Sequence, residues 1–204
     1  WDSIMNYQFY HAVMDLVITG HMRASSFVGK LNFMRGNLNQ KLEGYLWNFI
    51  DTHDTPRFLN SVQNDVRKQQ LAAALQLLLP GMPMIYYGDE VGMDGGMDPD
   101  CRRGMLWDTD RQNKTLLGYY QRLIQIRHAY PVLTEGAVVE QYADDEKGLI
   151  YIERVLDKQS IVLVFHTQDG NEALQVLSGM KNLVDGGVFL GSLGGYETAV
   201  LLRV

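Results

Sequence analysis

Two polar clusters in this chain follow short apolar runs, and each gathers residue types that can act on a hydroxyl-rich ligand. The first is Asn48-Phe49-Ile50-Asp51-Thr52-His53-Asp54-Thr55-Pro56-Arg57. An imidazole beside a carboxylate, as in His53-Asp54, can grip sugar hydroxyls and stabilise positive charge developing at an anomeric carbon. The same two residues could instead be a turn-capping aspartate and a satisfied loop histidine. Spacing alone leans toward that plainer role, because polar residues commonly follow strands. The second cluster is Met93-Asp94-Gly95-Gly96-Met97-Asp98-Pro99-Asp100-Cys101-Arg102-Arg103. Asp98 and Arg102, four apart, can form a fork that offers acceptors and donors to hydroxyls. A plain surface ion pair is the competing reading. Aspartates among glycines also suggest calcium, but the spacing is not that of an EF-hand loop and two arginines inside the cluster would repel a cation.

Other candidates carry less. Asp89 and Glu90 are neighbours, and neighbours on an extended chain point to opposite faces. They would not readily flank one bond between them, so both are read as structural. Tyr86 and Tyr87 are read as core or rim. The histidines are dispersed without metal-ligand spacing, and no zinc site is expected.

The elements that must position these groups alternate. Ile4-Met5-Asn6-Tyr7 reads as a strand end before an amphipathic helix bearing Phe9, Val13, Leu16 and Val17. Tyr45–Ile50 reads as a buried strand. Asn64 or Asp65 can cap a helix carrying Leu71, Ala74, Leu75 and Leu78, which Pro80-Gly81 stops. Met82–Tyr87 reads as the next strand, and residues 115–129 as a third helix with Leu116, Tyr119, Leu123 and Ile126 inward. Such βα units in series imply an α/β parallel sheet with right-handed crossovers. The pattern changes near Pro131. Runs such as Leu149–Ile152 and Ile161–Phe165, separated by Asp144-Asp145, Asp157-Lys158 and Asp169-Gly170-Asn171, predict an antiparallel β-sandwich. Two domains, 1–130 and 131–204, are expected.

At 204 residues and 46% hydrophobic, the chain can bury a core. A net charge of −6 with scattered lysines argues against a nucleic-acid partner. No apolar run approaches membrane-spanning length, so a soluble protein with no membrane partner is expected. The single Cys101 excludes an internal disulfide. A start at Trp1, without Met or signal peptide, reads as an excised or processed piece.

The Thr52-His53-Asp54-Thr55-Pro56-Arg57 string and Gly81-Met82-Pro83-Met84-Ile85-Tyr86-Tyr87-Gly88-Asp89-Glu90 resemble late barrel strands of the α-amylase family of glycoside hydrolases. The loop from Gly95 to Arg102, with Trp107-Asp108 behind it, is similar to neopullulanase, cyclomaltodextrinase and maltogenic amylase sequences. The opening Asp2-Ser3-Ile4-Met5-Asn6-Tyr7 resembles the strand just after the one bearing the proton donor.

The resemblance implies the C-terminal part, about three βα units, of a TIM (β/α)₈ barrel followed by the sandwich. It implies a retaining α-glucan hydrolase acting on starch-type oligosaccharides, pullulan or cyclodextrins. Asp54 would stabilise the oxocarbenium-like transition state, and His53 would bind the same sugar. Asp98 and Arg102 would bind the sugar one unit toward the non-reducing side, and Arg57 would order the loop. Asp51 adds a charge to which the pattern assigns no role. No cofactor is implied for this stretch, with calcium left open for the complete enzyme. The nucleophilic Asp and acid Glu would lie on strands before Trp1, so the chain alone should bind an α-glucan oligosaccharide weakly and hydrolyse nothing. A partial barrel exposes strand edges, which predicts pairing with the missing N-terminal half or self-association. The compartment stays open among bacterial cytoplasm, periplasm and exterior.

Two readings compete. One is a non-catalytic carbohydrate-binding or partner-interaction domain derived from the amylase fold, against which the intact His53-Asp54 and Asp98/Arg102 strings speak. The other is a starch-binding module over 131–204. That region's aromatics are Tyr142, Tyr151, Phe165, Phe189 and Tyr196, several of them in apolar runs rather than on platforms.

Overall fold

The computed structural model describes residues 3–36 and 44–203. Asp2, read with the opening strand, lies outside the described residues. The segment entering the first helix bridges Met5 to Trp47 in parallel. β1 (Trp47–Asn48) pairs in parallel with β2 (Met82–Pro83), in the register Trp47↔Met82 and Asn48↔Pro83. Helices fill the connections. α1 (Tyr7–Met14) starts where the Asn6 side chain accepts the Phe9 N–H, and it runs on as a π-helical turn over Asp15–Thr19. α2 (Ala24–Gly36) follows, then the short α3 (Phe58–Ser61) and α4 (Val66–Leu78), capped by Asp65. α5 (Lys114–Ala129) is capped by Asn113, whose side chain accepts the Leu116 N–H.

The parallel strands are shorter than the apolar runs predict, for an identifiable reason. Met82 and Met84 donate to Leu46 O and Asn48 O, and there the ladder stops. The Gln76 side-chain amide, reaching up from α4, then donates to Met84 O (2.7 Å) and Asn48 O (3.3 Å). Asn48 in turn donates to Pro80 O and accepts from the Asn6 amide, both at 2.9 Å. Buried amides thus do what further ladder bonds would do. Ile4, Tyr45, Trp47 and Met82 remain exposed on this small sheet.

α4 is buried along most of its length, from Gln69 and Leu71 through Leu78. It packs against α5, whose inward residues are Leu116, Tyr120, Leu123 and Ile126. Tyr120, not Tyr119, is the fully buried tyrosine. The two tyrosines stand three and four residues after Leu116, so helical spacing cannot choose between them, and Tyr119 packs partly buried against the same core.

From residue 137 the chain is antiparallel. β3 (Ala137–Asp144), β4 (Leu149–Leu156), β5 (Gln159–His166), β9 (Thr198–Arg203) and β7 (Lys181–Asn182) form one sheet in that order. β6 (Asn171–Ala173) and β8 (Ser192–Gly194) pair separately. Alternation explains the continuous apolar run of β5. Ile161, Leu163 and Phe165, with Val200 of β9, join the same core as the helices. Val162 and Val164, with Ala199 and Leu201, face a second cluster containing Leu177, Phe189 and Leu193. Both faces are therefore dry.

Two arginines secure the end of α4, one from this sheet and one from α5. Buried Arg154 of β4 donates to Gly136 O (2.8 Å), to Leu78 O at the end of α4 (3.4 Å) and to Leu133 O. Arg127 of α5 donates to Leu77 O (2.7 Å) and Gly81 O (2.6 Å). Cations on C-terminal helix carbonyls satisfy acceptors that the helix leaves open. Among the described residues, no helix is long and apolar enough to cross a membrane.

Gly81 is a tight point of this arrangement. Its φ of +128° disfavours a side chain, and an added Cβ would sit 2.4 Å from Asn48 Nδ2. Gly81→Ala should therefore destabilise the chain by about 1–3 kcal/mol, measured as a lowered urea midpoint at unchanged m-value.

Candidate functional site

The loops that follow β1 and β2 leave the same edge of the parallel sheet, where strand C-termini gather functional groups. A compact turn projects His53 and Asp54. Thr52 N–H donates to Thr55 Oγ1 (2.9 Å), and Asp54 N–H donates to Thr52 Oγ1 (3.1 Å). Both side chains emerge into solvent, 62% and 61% exposed, with His53 Nε2 3.4 Å from Asp54 Oδ1.

The second loop meets this turn through Arg102. Its Nε lies 2.9 Å from Asp98 Oδ1 and donates to His53 O at 2.9 Å, and its Nη2 reaches Asp54 Oδ1 at 3.3 Å. The four predicted residues, His53, Asp54, Asp98 and Arg102, thus converge although they come from two distant stretches of sequence. All remain about half exposed or more. Exposed pairs of this kind contribute little to stability, so their donors and acceptors can be redirected to a ligand at small cost. A guanidinium flanked by two carboxylates and an imidazole can satisfy adjacent hydroxyls as donor and acceptor together.

Beneath the site lies Arg57, with no measurable exposure. Its Nη1 contacts Asp89 Oδ1 at 3.0 Å, and its Nε donates to Cys101 O at 3.1 Å. Its backbone N–H donates to Gly95 O at 2.9 Å. The guanidinium carbon sits 4.0 Å from the centre of the Tyr86 ring and 4.6 Å from that of Tyr87. Burial, then the neighbouring Tyr87, pushes the Tyr86 phenol up to about 12. Cys101 closes the circuit, its Sγ 3.3 Å from His53 O. Arg57 therefore holds the second loop, and that loop holds the first.

Asp51 and Asp89 are both buried, and burial raises the pKa of each carboxyl above its ordinary value. Asp51 Oδ2 accepts the Phe58 N–H at 2.7 Å, anchoring the start of α3. Asp89 and Glu90 occupy different environments. Asp89 meets Arg57 in the interior, whereas Glu90 Oε2 accepts the Gly88 N–H at 2.9 Å. The role of Asp51 was not legible from spacing, because its partners lie at residues 58 and 89. An aspartate ending an apolar run was the one available signal.

The remaining acidic residues of the second loop are paired. Arg103 binds Asp94 (3.1 Å) and Asp100 (2.6 Å). The Gly96 N–H, then Arg103, holds the Asp100 carboxyl below its usual range. Among the described residues, no group of three or more His, Cys, Asp or Glu side chains could hold a metal ion. Trp107 stands 80% exposed on the loop's outer side.

Known proteins resemble the chain in sequence and in fold. A family model described as alpha amylase, catalytic domain, matches residues 1–111. The chain is 38% identical to neopullulanase 2 of Thermoactinomyces vulgaris, over 91% of this chain and 32% of that protein. It is also 38% identical to a cyclomaltodextrinase of a Bacillus species, over 89% and 33% respectively. The crystal structure of the maltogenic amylase from S. marinus superposes with a TM-score of 0.90 at 27% identity, covering 99% of this chain and 29% of that one. The chain spans about a third of the length of the curated relatives it matches.

The burial difference between the two arginines sets a measurable contrast. Arg102→Ala should change unfolding free energy by less than about 1 kcal/mol. Arg57→Ala leaves Asp89 and the carbonyls of Tyr87 and Cys101 without their donor and should cost about 3–5 kcal/mol by the same denaturant measurement.

Proposed function

The chain belongs to the alpha-amylase family, and we propose that it is the C-terminal part of a retaining α-glucan hydrolase of the neopullulanase, cyclomaltodextrinase and maltogenic amylase kind. The observation that carries this reading is the bridge from Asp54 through Arg102 to Asp98, with His53 beside it, on the edge where parallel strands end. In this reading residues 1–130 supply three βα units of a (β/α)₈ barrel and residues 131–204 a C-terminal β-sandwich domain.

Asp54 is assigned to the transition state. Its carboxylate would hold hydroxyls of the reacting sugar in the distorted ring and favour positive charge at the anomeric carbon. His53 would donate to the same sugar. Asp98 and Arg102 would hold the neighbouring sugar, the guanidinium donating and the carboxylate accepting. Arg102 touches both Asp54 and Asp98, so occupancy by one sugar would be felt at the other.

The nucleophilic aspartate and the acid glutamate are assigned to the part of the enzyme outside these residues. The remaining barrel strands would cover the exposed Ile4, Trp47 and Met82 and pair the free edges beside Met5 and β2. Without them, two copies of the chain would compete for the same edges.

The test is sugar release and sugar binding by this chain. No reducing sugar should appear from cyclodextrin, pullulan or starch. Maltooligosaccharide binding, read by calorimetry, should weaken roughly tenfold in Asp54→Asn and in Arg102→Ala. Release that survives purification and disappears in Asp54→Asn would show a complete catalytic set here and overturn the allocation of roles.

A further inference from the structure

We propose that Asp51 and Asp89 share a single proton in the folded chain, forming with Arg57 a neutral buried triad that positions the two site loops. The argument starts from unsatisfied atoms. Asp51 Oδ2 takes the Phe58 N–H and Asp89 Oδ1 takes Arg57 Nη1. The other oxygens, Asp51 Oδ1 and Asp89 Oδ2, are buried and meet no donor among the described residues. Yet the two carboxyl groups are in hydrogen-bonding contact with each other. Two carboxylates cannot bond without a proton between them, because each is acceptor-only when ionised. A single proton held between the two carboxyl groups would supply the donor that the pair lacks.

Charge balance points the same way. With both groups ionised, the pocket would hold two touching negative charges against one guanidinium, at 0–2% exposure. With one proton it is neutral, which is the form that burial favours. Burial first, and then the Asp51 charge, drive the Asp89 carboxyl well above its ordinary value.

The other groups around the pair do not supply the missing charge. Tyr10 of α1 and Tyr120 of α5 face it, and burial pushes both phenols up, keeping them neutral. Glu90 is negative when ionised and points its Oε2 to Gly88 N–H. Tyr86 and Tyr87 face Arg57 with their rings. Among the described residues, Arg57 is the cation that acts on the pair.

The linkage has a definite sign. The folded chain keeps a proton that the unfolded chain releases above about pH 4. This contribution is fully present below that value and is lost as pH rises toward the pair's own folded pKa. Across that window the folding equilibrium constant carries a factor falling about tenfold per pH unit. Asp89→Asn replaces the shared proton with a permanent amide N–H, leaving Asp51 ionised opposite Arg57. Asp51→Asn is equivalent, since its amide can accept from Phe58 and donate to an ionised Asp89. Each single variant should fold and lose that slope. The double variant Asp51→Asn/Asp89→Asn strands the guanidinium without a counter-charge and should fold at least a hundredfold less well than either single.

The experiment combines infrared spectroscopy of the unmutated chain at neutral pH with urea unfolding of all four forms between about pH 5 and pH 8. A protonated-carboxyl C=O band in the folded chain, absent from both single variants, together with their flattened pH slope, is the expected result. Absence of that band from the unmutated chain would overturn the proposal even if a variant failed to fold. Parallel pH slopes for the unmutated chain and Asp89→Asn would overturn it as well, as would a double variant as stable as the singles. None of these readings depends on sugar binding, so the proposal and the enzymatic assignment fail separately.

Discussion

The structure of this edge depends on a cation that has left water. A buried guanidinium is tolerated only when its surroundings repay the lost hydration, and Arg57 finds that repayment in Asp89, the Cys101 carbonyl and two tyrosine rings. Each partner belongs to the segment after β2, whereas Arg57 belongs to the segment after β1. Satisfying one side chain therefore fixes two loops relative to each other. The exposed residues above inherit that geometry without contributing much to it. This division separates the groups that hold from the groups that are free to bind.

Much of this was readable in the sequence, and the reasons differ by residue. His53, Asp54, Asp98 and Arg102 sit in compact strings whose residue types and order mark them, and the fold needed only to bring two loops together. The helices were legible because α4 and α5 combine an apolar face with capping residues at Asp65 and Asn113. Strand length was not, because Gln76 and Asn48 replace ladder bonds with side-chain bonds that no local pattern reports. Tyr119 and Tyr120 are equivalent by type, and only three-dimensional packing distinguishes them. Asp51 escaped for a related reason. A charge has a role only once its partners are known, and its partners are distant in sequence.

The change of pattern at Pro131 is equally instructive. It marks where parallel strands and helices give way to antiparallel strands, but it does not mark a break in the core. Phe9, Leu75 and Leu123 share one apolar cluster with Ile150, Leu163 and Val200. Arg154 ties carbonyls on both sides of that change, Leu78 O before it and Gly136 O after it. The sheet covers α2 as well as enclosing its own second cluster.

That continuity has a consequence for cooperativity. β9 occupies an interior place between β5 and β7. Were Thr198–Arg203 to peel away, β5 would gain an open side and the helices would lose Val200 as a neighbour. Detaching one strand therefore uncovers apolar surface on the sheet and on the helical layer together, which couples the two in unfolding. A strand far from His53 and Asp54 in sequence thus shares in the stability of the layer beneath them.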